Sequence, residues 1–158
     1  MRRWEFRSQR TPQPADNAAE MAQADSCVAI AVYVLRRSAG ETELLFVRRS
    51  GGRFGGQWWP VTGTREPSED PQQCALRELR EETGLVPDTL FPTDLTAPVE
   101  GGGYLQIYVA PVDSQAVVCL NWEHDAHCWC SAEQANAILG KLGEPIVHEA
   151  VRVFEQGW

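Results

Sequence analysis

The stretch from Gly63 to Leu85, GTREPSEDPQQCALRELREETGL, constrains the fold more than any other part of the chain. It predicts a loop, a short helix over residues 71–82 and a second loop. Asp70 suits an N-cap, and Pro71 suits the first helical position, where an N–H has no intrahelical partner. Leu76, Leu79 and Thr83 recur at i, i+3 and i+7, a single stripe for a core. Gly84 supplies the left-handed residue that ends the helix.

Three carboxylates crowd the end of that helix. At about 100° per residue, Glu78 and Glu82 lie about 40° apart with Glu81 alongside, on a face read as turned away from the Leu76/Leu79 stripe. Like charges at this spacing repel, and acids at a helix C-terminus oppose its dipole. Arg77 and Arg80 neutralise only part of the charge. Two readings follow. "RELREE" alone is ordinary solvated helix surface. Alternatively, hard oxygen ligands on one face suit Mg²⁺ or Mn²⁺, which commonly bridge to substrate phosphates.

The rest of the chain supplies a sheet. CVAIAVYVLRR, from Cys27, and ETELLFVRR, Glu41 to Arg49, read as strands joined by a turn at Ser38–Gly40. SGGRFGGQ is a glycine-rich loop holding Arg53, and WWPVTG a short strand. Further strands are expected around Leu90–Thr96, Tyr104–Pro111 and His127–Cys130, with a strand or extended segment near Val117–Leu120. Helices at Ala132–Leu139 and about Pro145–Glu155 close the chain. This is a mixed α/β pattern in one domain, residues 26–158, after a polar extension over residues 1–25.

Charge and composition narrow the partners. A net charge of −8 argues against a nucleic-acid duplex. If the ligand is an anion, positive charge must come from local arginines or a metal. No apolar run approaches membrane-span length, and no secretory signal is visible. Five cysteines without a Cys-x-x-Cys pair read as reduced thiols in a cytoplasm. The grouping Cys119, His124, His127, Cys128 and Cys130 has poor zinc spacing, and strand alternation would split its members between two faces.

Spacing raises the helix above ordinary surface. Gly63 is followed after five residues by Glu69, and after seven more by Arg77, Glu78 and Leu79, then Glu81, Glu82, Gly84 and Leu85. The segment resembles the Nudix hydrolase box, Gly-x5-Glu-x7-Arg-Glu-U-x-Glu-Glu-x-Gly-U, with U a bulky aliphatic. Every fixed position matches. At average residue usage, seven such matches arise by chance about once in a hundred million start sites, which favours the box over plain helix surface. Pro67-Ser68 before Glu69 departs from the Glu-x-Gly-Glu of many members and bears only on loop geometry.

The resemblance implies an α-β-α sandwich with a mixed sheet and a loop-helix-loop catalytic box. It implies a pyrophosphohydrolase that uses Mg²⁺, with Mn²⁺ as substitute, to cleave a small-molecule nucleotide. By carry-over, Gly63, Glu78, Glu81 and Glu82 form the metal set, while Glu69 and Arg77 tie loop to helix. Candidate catalytic residues are Glu81, Arg77 and, outside the box, Glu123. Trp58, Val61, Thr62 and Gly63, then Glu123, His124 and Trp129, resemble the branch containing dihydroneopterin triphosphate pyrophosphatase and (d)NTP pyrophosphohydrolases. The expected substrate is therefore a nucleoside or pterin triphosphate. A dinucleoside polyphosphate or ADP-ribose hydrolase, or a nucleotide sensor without turnover, stays open, as does a homodimer.

Arg48, Arg49, Arg53 and Trp58 are the substrate-binding candidates. The arginines end a strand and enter the glycine loop, where they can grip phosphate, and plain surface charge is the alternative. Trp58 and Trp59 can stack on a ring, although alternation should send one of them to the core. Tyr104 is a further stacking candidate. Glu123 is read as a base or extra ligand, with a solvated loop acid as the alternative.

Overall fold

The computed structural model describes residues 26–158, so the expected 1–25 extension lies outside the described residues. The elements run β1 (Cys27–Ser38), β2 (Glu41–Arg49), a 3₁₀ turn (Gly52–Phe54), β3 (Trp58–Trp59), β4 (Val61–Thr64) and α1 (Pro71–Thr83). They continue β5 (Phe91–Pro98), β6 (Tyr104–Pro111), β7 (His124–Cys130), α2 (Ala132–Leu139) and α3 (Glu144–Gly157). This is the mixed α/β, three-layer arrangement expected.

The strands form one seven-stranded sheet with β1 at its centre. β6 lies parallel to β1 on one side, and β2 pairs antiparallel with the end of β1 on the other, Leu35 opposite Leu44. Before that point β1 and β2 diverge. The expected single strand at WWPVTG fills the gap as two strands, broken at Pro60: β3 pairs with β2, and β4 pairs with β1 with Gly63 opposite Ile30. Proline has no N–H for a ladder, so the change of partner falls there.

Both faces of the sheet are covered, which is why β1 reads as an almost unbroken apolar run. Tyr33, Leu35, Leu44 and Phe46 pack on one face against Ala150 and Phe154 of α3. Ile30, Val32, Val34 and Leu45 pack on the other against Cys74, Ala75 and Leu79 of α1. Cys130 belongs to the α3 side, while Trp129 packs on the α1 side, as alternation requires.

The structure narrows one expectation and corrects another. Of the strand or extended segment expected near Val117–Leu120, no strand forms. The amides there serve α1 instead: Cys119 N–H donates to the Thr83 carbonyl (2.8 Å) and Asn121 N–H to that of Glu82 (3.4 Å). Carbonyls in the last helical turn lack intrahelical donors, so this segment closes the helix end rather than extending the sheet. The stripe of α1 is also rotated from that expected. Leu76 is 37% exposed, and the buried residues are Cys74, Ala75, Leu79, Thr83 and Glu82.

Candidate active site

Local signals set α1 in place. Asp70 Oδ1 accepts from Gln73 N–H (2.8 Å), while Gln73 Oε1 accepts from Asp70 N–H (2.9 Å), a reciprocal capping box. At the other end Gly84 has φ 71°, and its N–H donates to the Arg80 carbonyl (2.9 Å). A side chain at this φ would be strained, so glycine sits here for its backbone.

Gly63 is present for a different reason. A Cβ on Gly63 would overlap the Cγ and carboxyl carbon of Glu78, so the β4 backbone and this carboxylate approach as only glycine allows. Gly63→Ala is expected to push Glu78 aside and to cost about 1–3 kcal/mol, the usual range for overpacking. Urea denaturation measures the loss and a crystal structure of the variant the displacement. Unchanged stability with Glu78 in place would remove the close approach.

Arg77 is the hub of the box. Its Nε and Nη2 grip Glu69 at 3.0 and 2.6 Å, a bidentate pair. Nη1 donates to Glu78 (2.8 Å) and Glu81 (3.3 Å), and Nη2 to the Thr64 carbonyl (3.2 Å). These hydrogen bonds hold the Glu69 carboxyl down at about 2. Burial pushes Glu78 upward, with the Arg77 hydrogen bond opposing it. Among the described residues no three His, Cys, Asp or Glu side chains converge as a ready ligand set. Glu78 and Glu81 are both turned onto Arg77.

Glu82 stands apart. It is 2% exposed, and its Oε2 has no hydrogen-bond partner. His124 Nε2 lies 3.8 Å away, beyond hydrogen-bond reach, and burial lowers the imidazole's affinity for a proton. Burial, then the charges of Glu123 and Glu78, push the Glu82 carboxyl up to about 8. An unpaired buried carboxylate is expensive unless a cation shares the site. The unpartnered Glu82 oxygen beside the cradle at Gly63 suits a hard divalent cation in its chemistry, while Glu78 and Glu81 stand on Arg77 rather than in a ready set.

Glu123 reaches this cluster from forty residues downstream of Glu82 or more. Once the 119–121 segment has docked on α1, His124 N–H donates to the Asn121 carbonyl (3.3 Å), and β7 begins at His124, three residues earlier than expected. Ser50 N–H holds the Glu123 carbonyl (2.9 Å), and Ser50 Oγ donates to that of Trp122 (2.8 Å). The Glu123 carboxylate accepts from Arg49 Nη1 (3.0 Å) and Asn121 Nδ2 (3.3 Å).

The arginines separate. Arg49 faces Glu123 and Glu82, whereas Arg48 pairs with Asp125 (2.7 Å) and lies over the Trp58 ring (5.6 Å). Successive strand residues point to opposite faces, and Trp58 packs against the α3-side core. Neither Trp58 nor Trp59 is fully buried. A cleft of about 400 Å³ beside Glu123 is lined by Arg49, Arg53, Phe54 and Trp122, with Ser50–Gly52 between them; Arg48 and Trp58 lie outside it. Sequence reasoning passed over Trp122. The one available signal was a tryptophan set directly before Glu123 among polar residues.

Comparison with known proteins bears on the family and the fold. The family model described as NUDIX domain matches residues 26–150. The chain is 36% identical over 119 residues to an octanoyltransferase of Myxococcus xanthus, covering 67% of this chain but 31% of that protein, so it spans less than a third of that relative. It is 27% identical over 117 residues to a bis(5'-nucleosyl)-tetraphosphatase [asymmetrical] of Caenorhabditis elegans, covering 68% of this chain and 80% of that one. A C. elegans Ap4A hydrolase in a binary complex superimposes with a TM-score of 0.68 at 25% identity, covering 82% and 98% of the two chains. The E. coli dihydroneopterin triphosphate pyrophosphohydrolase superimposes with a TM-score of 0.62 at 20% identity, covering 76% and 91%, a likeness of fold alone. The branch expected from the flanking motifs is thus one of several neighbours. With the box intact from Gly63 to Leu85 and the domain match spanning most of the chain, the protein belongs to the Nudix hydrolase family.

Proposed function

We propose that the chain hydrolyses a phosphoanhydride bond in a small nucleotide with Mg²⁺, for which Mn²⁺ can substitute. The observation that carries this reading is Glu82, a buried carboxyl with an unpartnered oxygen near Glu78, Glu81 and Glu123. Glu78, Glu81 and Glu82, with the Gly63 backbone, would hold the cation. A bound divalent ion supplies Lewis-acid polarisation of phosphoryl oxygen and neutralises charge on the phosphate chain. Arg77 keeps Glu78 and Glu81 positioned. Arg49 and Arg53 present positive charge to the phosphates in the cleft. Glu123, tethered at the cleft by Arg49 and Asn121, would accept a proton from the attacking water.

The flanking motifs favour a nucleoside or pterin triphosphate. The identity to the C. elegans tetraphosphatase over 80% of its length supports a second reading, an asymmetrically cleaved dinucleoside tetraphosphate. Turnover of nucleoside triphosphates, dihydroneopterin triphosphate and Ap4A with Mg²⁺, resolved by product, separates them. Activity should vanish in excess chelator, and undiminished turnover there would overturn the proposal. Glu123→Gln is expected to lower kcat at least about tenfold, with the melting temperature within about 2 °C of wild type because a partly exposed acid contributes little to folding. An unchanged kcat would remove Glu123 from the chemistry.

A further inference from the structure

We infer that Trp122 is the stacking platform for the flat heteroaromatic ring of the substrate, a residue that determines specificity rather than one that performs chemistry. The inference deepens the proposed reaction and rests on it.

Trp122 is 86% exposed, so its indole contributes little to the core. A tryptophan in a folded protein ordinarily buries a large apolar surface. Here the backbone beneath it is pinned instead: Ser50 Oγ holds the Trp122 carbonyl and Ser50 N–H the Glu123 carbonyl, while Asn121 N–H is tied to α1. The ring is therefore presented from a fixed base rather than from a loose loop tip.

Its surroundings indicate the occupant. Trp122 and Phe54 line the same cleft as Arg49, Arg53 and Glu123, and Arg49 is paired with Glu123 at 3.0 Å. Arg53 already lies over the Phe54 ring (5.5 Å), so charge and π-face are offered together. An apolar plate, two guanidinium groups and an acid cluster suit a ligand with a planar ring at one end and a polyphosphate at the other. A cleft of about 400 Å³ falls within the size range of small-molecule sites.

Wild type, Trp122→Ala and Trp122→Tyr separate the possibilities. The readouts are kcat and KM on nucleoside triphosphate, and equilibrium binding of ADP and of inorganic triphosphate with Mg²⁺. Trp122→Ala is expected to raise KM and weaken ADP binding about tenfold to a hundredfold, as for loss of one base–aromatic stack. It should leave kcat, thermal stability and inorganic triphosphate binding near wild type, and Trp122→Tyr should restore most of the loss. An unchanged KM and ADP affinity in the alanine variant, or an equal loss for inorganic triphosphate, would overturn stacking while leaving the hydrolytic reading intact. If the wild type turns over no nucleotide yet binds ADP through Trp122, the hydrolytic reading fails and the platform stands. Absence of ADP binding in the wild type overturns the platform.

Discussion

Glu82→Gln is expected to lower kcat by at least about a hundredfold while preserving the fold. Glutamine keeps the size and helix propensity of the side chain but removes the charge that a cation would neutralise, and lost electrostatic groups of this kind cost about that much. A second signature follows from the raised proton affinity. In the folded protein the carboxyl titrates at about 8, against an ordinary 4.5. Between those values the folded state binds more protons than the unfolded state. Without divalent cation, the contribution of this carboxyl to stability is therefore complete below about pH 4.5 and is lost as pH rises toward 8. The glutamine variant should lack this slope. Mg²⁺ should raise the melting temperature of the wild type at pH 8 and leave that of the variant unmoved. A fully active Glu82→Gln enzyme, or parallel stability profiles, would reject the role given to this residue.

The second large effect is on stability. Arg77→Met keeps the stem of the side chain but leaves Glu69 and Glu78, whose side chains are only 11% and 13% exposed, without their partner. Removing one member of a buried ion pair strands the other charge, and we expect a loss of about 3 kcal/mol at pH 7. Lysine restores charge but not the two-pronged grip on Glu69, so Arg77→Lys should fall between. The pH dependence has the opposite sign to that of Glu82. Glu69 is held at about 2, so its contribution is complete above its ordinary 4.5 and is lost as pH falls toward 2. Urea denaturation of both proteins at pH 7 and pH 2.5 tests this, since the gap between them should narrow in acid. A loss below about 0.5 kcal/mol at pH 7 would make the network ordinary surface charge.

The parts of the protein legible in sequence are those whose causes lie within a few residues. The N-cap at Asp70, the left-handed Gly84, the limits of β2, β6 and α2, and the spacing from Gly63 to Leu85 all depend on neighbours along the chain. Strand alternation likewise anticipated the split of Cys130 from Trp129. Tertiary structure alone decided the rest. Helical spacing put the acids on one surface. It did not reveal that the surface turns inward at Glu82, since Leu76 and Glu82 compete for the inner face and only the packed sheet chooses between them. Alternation requires Arg48 and Arg49 to diverge, but only the packing of α1 says which of them meets the acids. Glu123 and Trp122 reach the site because the 119–121 amides close the end of α1 rather than pair in the sheet. Local hydrogen bonds and periodicity are written in short windows. The burial of a charge, and the meeting of residues some forty apart, depend on which distant backbone groups satisfy one another.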